Sequence, residues 1–91
     1  MKGKKKLLDA LLEKVGDKLG ELRRQKGYDT IKHFALAYKL PPVQYWRIEK
    51  GKTNLTFSTL ARLMRIHSMS VEEFFCYLGK EKKIRFPKKR R

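Results

Sequence analysis

The tract from Phe34 to Gly51, FALAYKLPPVQYWRIEKG, sets two adjacent prolines between two short helical patterns, and that pair constrains the fold more than any other feature of the chain. Neither Pro41 nor Pro42 can extend a helix arriving from upstream, because each lacks an N–H donor and its ring meets the carbonyl one turn back. Pro42 does suit the first position of a new helix, where the missing donor would go unpaired in any case. A turn is therefore expected after a helix of about Thr30 to Lys39, with a second helix beginning near Pro42. In the upstream helix Phe34, Ala35, Ala37 and Tyr38 fall at helical spacing, and the small Ala35 and Ala37 leave room for another helix to cross. In the downstream helix Tyr45 and Ile48 share one face, while Val43, Gln44, Trp46, Arg47 and Lys50 point elsewhere. Gly51 supplies the left-handed residue that ends this helix, and Lys50 in its last turn complements the dipole. The pattern reads as helix, turn, helix, with an outward set able to touch DNA.

These residues resemble the Cro and phage-repressor (XRE-like) helix-turn-helix family. Ala35 sits at the family's small residue in the first helix, and Arg47-Ile48-Glu49-Lys50-Gly51 matches its R-I-E-x-G ending. Downstream, Thr59-Leu60, Leu63 and Ser70-Val71-Glu72-Glu73-Phe74-Phe75 match the fourth and fifth helices. The likeness covers roughly Val15 to Leu78, and the tract from Tyr38 to Gly51 is similar to small Bacteroidetes-type transcriptional regulators. It implies an all-α, five-helix lambda-repressor-like domain at 15–79, preceded by an amphipathic helical extension at 1–14 and followed by a basic tail at 80–91. It further implies an architectural ion pair between Arg23 and Glu49.

Charge points the same way. The chain carries 24 Lys and Arg against 9 Asp and Glu, a net +15 with a sequence pI near 10.3, which is the footprint of a polyanionic partner. Ninety-one residues suffice for one small domain with a modest core. Cys76 is the single cysteine, which excludes an internal disulfide and fits a reducing cytoplasm, and no paired Cys or His stands at zinc-ligand spacing. The leucines near the N-terminus are interrupted by Asp9, Glu13 and Lys14, so no membrane span or export signal is expected. No nucleophile, base and orienting group occur together and no glycine-rich phosphate loop is present, so neither an enzyme nor a cofactor or small-molecule site is expected.

From Leu7 to Leu22 the residues Leu7, Leu8, Leu11, Leu12, Val15, Leu19 and Leu22 form the stripe of a long amphipathic helix, which Gly16 and Gly20 weaken enough to allow a kink or a break near Gly16. Leu7, Leu8, Leu11 and Leu12 must be covered either by this chain's own fifth helix near Phe75, Tyr77 and Leu78 or by a second copy. Asp29 or Thr30 caps the helix that follows. His33 lacks any partner at ligand spacing, and His67, at the end of the fourth helix, occupies a position that favours a cationic imidazole. The fourth helix is expected over about Thr56 to Ile66 with Phe57, Leu60, Leu63 and Met64 inward, and Ser70 with Glu73 forms a capping box for the fifth.

The expected function is that of a sequence-specific transcriptional regulator binding double-stranded DNA as a homodimer, with the helix from about Pro42 to Lys50 in the major groove. Val43, Gln44, Trp46 and Arg47 are the base-reading candidates. Arg47 can bond guanine bidentately, while Val43 can only meet a thymine methyl. Lys50, Lys52, Thr53 and Asn54 are candidates for phosphate contacts, joined by Thr30 and Ile31 through backbone amides at the start of the upstream helix. The alternatives are a DNA-binding antitoxin or accessory subunit that also grips a protein, and a basic module that binds RNA or the ribosome. The tail KEKKIRFPKKRR reads as a solvated end or as an arm along phosphates.

Overall fold

The computed structural model describes residues 2–80, with side chains from Lys6 onward, so the basic tail from Glu81 lies outside the described residues. Those residues form five helices and no strand: α1 Lys2–Gln25, α2 Ile31–Ala37, α3 Pro42–Glu49, α4 Phe57–Ile66 and α5 Val71–Gly79. No helix among them is long and apolar enough to cross a membrane.

α1 runs unbroken through Gly16 and Gly20, and across the boundary expected near residue 14. The reason is a neighbour. A Cβ on Gly16 would run into the backbone carbonyls of Ile48 and Glu49, and one on Gly20 would stand 3.0 Å from the Glu49 carboxylate. The glycines therefore open a shallow groove that admits the end of α3, and the packing gained offsets the roughly 1 kcal/mol of helix propensity each one lacks. The close approach continues at Gly51, where a Cβ would come within 2.9 Å of the Glu13 backbone.

α2 is capped by the Thr30 hydroxyl, which accepts from the His33 N–H at 3.1 Å, so Thr30 rather than Asp29 is the cap. The helix ends at Ala37, short of the expected Lys39, because Lys39 adopts φ +57°. The Leu40 N–H then donates to the Ala35 carbonyl at 2.8 Å and the Lys39 N–H to the Leu36 carbonyl at 3.3 Å, closing a Schellman turn on a lysine. Leu40 is drawn into the core beside that turn. Pro41 and Pro42 follow as the N-cap and first residue of α3. Of the two alanines expected at the crossing, Ala35 is fully buried and Ala37 is exposed.

The core gathers Val15, Leu19 and Leu22 of α1 with Phe34, Tyr45, Ile48, Leu60, Leu63, Met64, Phe74 and Leu78. Phe34 is its hub: its ring lies 5.1 Å from that of Tyr45, 5.0 Å from Tyr38 and 5.5 Å from His67, the last in a stacked arrangement. α5 begins with both hydrogen bonds of the Ser70–Glu73 capping box. Phe57, expected inward, is 80% exposed instead, because it occupies the first residue of α4, ahead of the turn that meets the core.

Candidate nucleic-acid interface

α3 is fastened along one side and bare along the other. On the inner side Tyr45 and Ile48 are buried in the core, and Glu49 is 7% exposed. The Glu49 carboxylate takes two hydrogen bonds from Arg23, from Nε at 2.8 Å and Nη2 at 3.1 Å, in the fork geometry that a guanidinium offers a carboxylate. Arg23 also donates through Nη1 to the carbonyls of Tyr28 and Asp29, both at 2.9 Å, which pins the loop between α1 and α2. One side chain thus ties α1 to the end of α3 and to the entry of α2. The Glu49 hydrogen bond holds the Arg23 pKa above its ordinary value. The Tyr45 hydroxyl is buried in the same region, beside the Arg23–Glu49 pair. Burial first, and the Glu49 carboxylate second, keep its phenol neutral far above the usual tyrosine range.

On the outer side Val43 is 70% exposed, Trp46 is 42% exposed, and Gln44 and Arg47 are open to solvent. Val43 and Arg47 stand one turn apart on the same face. Arg47 forms no ion pair or side-chain hydrogen bond among the described residues. The four base-reading candidates are therefore brought together on one surface of α3. Lys50 is the C-cap of α3, and the Lys52 N–H donates to the Arg47 carbonyl at 2.9 Å in a Schellman turn at Gly51, whose φ is +69°. Lys50, Lys52 and Asn54 are exposed, and Thr53 is half-buried. Thr30 and Ile31 lie apart from this set, at the start of α2, with Ile31 half-buried against the core.

Charge is sharply segregated. Glu49 is the only acidic residue between Thr30 and Val71, and Arg23 neutralises it. Over the same span Lys32, Lys39, Arg47, Lys50, Lys52, Arg62 and Arg65 are all exposed. In contrast Asp9, Glu13, Asp17 and Glu21 recur every fourth residue along α1 and make an exposed acidic ridge. The surface of α2 to α4 consequently offers a polyanion cations without opposing carboxylates.

Arg62, an exposed residue of α4, joins the site through contacts that no local pattern announces. Its Nη2 donates to the carbonyls of Tyr38 at 3.3 Å and Lys39 at 3.1 Å, at the turn that launches α3. Partners more than twenty residues apart leave no mark in helical spacing.

Two expectations near the site are corrected. His67 is not a favourable cation at the end of α4: burial, and next the charge of Lys26, push its pKa below the usual histidine value. Leu7, Leu8 and Leu11 of early α1 are not covered by α5, being 63%, 46% and 37% exposed, whereas Leu12 is half-buried, and Phe75 and Tyr77 of α5 also face outward. The α1 to α5 contact instead lies further along, where the Lys18 Nζ sits 4.4 Å above the Tyr77 ring. No group of three His, Cys, Asp or Glu side chains that could hold a metal occurs among the described residues.

In comparisons with known proteins no family model, no curated protein and no solved structure matches the chain.

Proposed function

We propose that this chain is a sequence-specific DNA-binding regulator of the lambda-repressor-like helix-turn-helix kind, with α3 as the reading helix in a major groove. The observation that carries the reading is the two-sidedness of α3: bolted to α1 and the core by Tyr45, Ile48 and Glu49, it turns Val43, Gln44, Trp46 and Arg47 to solvent in a segment free of exposed acids. A helix held rigidly on one side can keep side chains on base edges in a fixed register, and unopposed cations beside it take up the phosphates. Arg47 is the base-reading residue of choice, Val43 the contact for a thymine methyl, and Lys50 and Lys52 the phosphate anchors, with Thr53 and Asn54 beside them. Thr30 and Ile31 offer first-turn amides of α2 to a neighbouring phosphate. The chain works as a homodimer in the cytoplasm, because one such helix reads only half of a paired site.

The test begins with selection of bound duplexes from a random library, with duplex RNA as competitor. Arg47→Ala and Lys52→Ala are then measured on the selected site and on its single-base variants. Arg47→Ala is expected to remove discrimination at one base pair, worth about 1–3 kcal/mol. Lys52→Ala should weaken every duplex alike and lower the salt slope by about 1. If Arg47→Ala loses affinity uniformly with its base preferences intact, the arginine is a phosphate clamp, and if RNA competes as well as DNA, the regulator reading falls. A second reading, an accessory subunit that grips a protein as well as DNA, has the exposed Leu7, Leu8 and Leu11 in its favour. Sedimentation on the selected duplex separates the two: two copies per site support the homodimer, and a lone copy supports the accessory subunit.

A further inference from the structure

Pro41 and Pro42 do more than start α3. The carbonyls of Ala35 and Leu36 are taken by the N–H groups of Leu40 and Lys39 in the Schellman turn, and the three that follow, of Ala37, Tyr38 and Lys39, take no backbone N–H among the described residues. In most chains the N–H groups of the residues that follow can serve such carbonyls. Here the two that follow Leu40 are prolines and have none. The structure fills most of the gap from outside: the Arg62 guanidinium, on α4, donates to the Tyr38 and Lys39 carbonyls from one nitrogen. Its charge also sits at the C-terminal, negative end of α2, where a cation is favoured. Arg62 is carried by a helix whose Leu60, Leu63 and Met64 are buried, so the turn is referred to the rigid core rather than to solvent. The residue that it steadies, Lys39, holds a left-handed backbone at φ +57°, which a residue with a Cβ takes up reluctantly.

We infer that Arg62 is a positioning residue for the reading helix: by clamping the Tyr38 and Lys39 carbonyls, which Pro41 and Pro42 have no N–H to serve, it sets the angle at which α3 leaves α2. The inference rests on the DNA reading proposed above for its functional consequence, and on the hydrogen bonds alone for its mechanical one. Because Ile48 and Glu49 pin the far end of α3, freedom at Pro42 is felt most by Val43, the reading residue next to the turn, so base preference there is the property most sensitive to the clamp. Phosphate binding by Lys50 and Lys52 tolerates such a displacement, because it follows charge and not base-edge geometry.

The experiment has two arms, with the full chain as parent, Arg62→Gln and Arg62→Lys. The first arm uses no nucleic acid and follows amide hydrogen exchange. Arg62→Gln should speed exchange at Lys39 and Leu40 by about tenfold or more, as expected for loss of a charge-assisted hydrogen bond, while amides of α1 and α5 stay as in the parent. Arg62→Lys, which keeps the charge but not the planar fork, should restore part of the protection. The second arm measures affinity for the selected duplex and its single-base variants across a salt series. Arg62→Gln should compress the discrimination at the base pair read by Val43 by about tenfold with the salt slope unchanged. Unchanged exchange at Lys39 and Leu40 would overturn the clamp. Uniform weakening on all duplexes with the slope reduced by about 1 would make Arg62 a phosphate contact and overturn the positioning role. Failure of the parent itself to bind any duplex would strike the DNA reading, and the exchange arm would still decide the clamp.

Discussion

The two halves of α1 carry one leucine pattern and meet two fates. Leu8, Leu12, Val15, Leu19 and Leu22 follow a single stripe, yet Leu8 is 46% exposed where Leu19 is fully buried. The side chains do not differ; what faces them does. Over the second half the helix offers the Gly16 and Gly20 groove to α3, hands Arg23 to Glu49 and lays Val15, Leu19 and Leu22 into the core. Over the first half the described residues bring nothing comparable against Leu7, Leu8 and Leu11. Amphipathic periodicity therefore makes a helix of both halves, but converts to stability, at about 1.5–3 kcal/mol for each fully buried aliphatic side chain, only in the one that the rest of the chain returns to.

Breaking the anchored half should produce the largest effects. Glu49→Ala leaves Arg23 as an uncompensated buried charge and should destabilise by about 3–5 kcal/mol in urea unfolding. A change under about 1 kcal/mol would mean that the pair is a bystander to packing. Leu19→Ala should cost about 2–5 kcal/mol, depending on how far the cavity collapses. Gly16→Ala places a methyl against the Ile48 and Glu49 carbonyls and should cost about 1–3 kcal/mol even though alanine is the better helix former. If it stabilises instead, the groove is not what joins α1 to α3.

Acid gives a milder probe of the same core, through the buried ring of His67, which stacks on Phe34. Burial keeps the folded-state pKa of His67 below the 6.5 of the unfolded chain, so the native state favours the neutral ring. Its contribution is complete above about pH 6.5 and is lost as the pH falls through the lowered native value. Urea midpoints at pH 7.5 should therefore exceed those at pH 5.5, and His67→Phe, which keeps a ring to stack on Phe34, should shrink the difference. An equal difference in that variant would place the pH dependence elsewhere.

The smallest effect belongs to the outer half: Leu8→Ala should change stability by no more than about 0.5 kcal/mol. A loss as large as that of Leu19→Ala would show that Leu8 is covered in solution. In that case the loss should shrink on dilution, since a partner copy stabilises by mass action and its contribution vanishes once the copies separate.

Much of the architecture was legible because it is written in short-range chemistry. The Ser70–Glu73 box, the start of α3 at Pro42 and the inward pair Tyr45 and Ile48 each depend on groups within one or two helical turns. The outward set on α3 follows from the same periodicity by subtraction. Errors came where one residue type serves two purposes. Gly16 was read as a weak point in a helix, and it is a contact surface. Phe57 was read as core by its spacing to Leu60, and its place at the very start of α4 leaves it exposed. Lys39 and Ser68 hold left-handed backbones, φ +57° and +56°, at helix ends where Gly27 and Gly51 serve α1 and α3, and a side chain gives no local warning of that conformation.

The sequence by itself determined where α3, α4 and α5 begin and which face of α3 is apolar, because capping, proline stops and 3.6-residue periodicity act between neighbours along the chain. Only the tertiary structure decided that the glycines of α1 receive α3, that Arg62 serves a turn more than twenty residues away, and that half of one leucine stripe is buried while the other half is bare. Burial and long-range hydrogen bonds are properties of what arrives opposite a residue, and that is fixed by the path of the whole chain rather than by the residue or its neighbours.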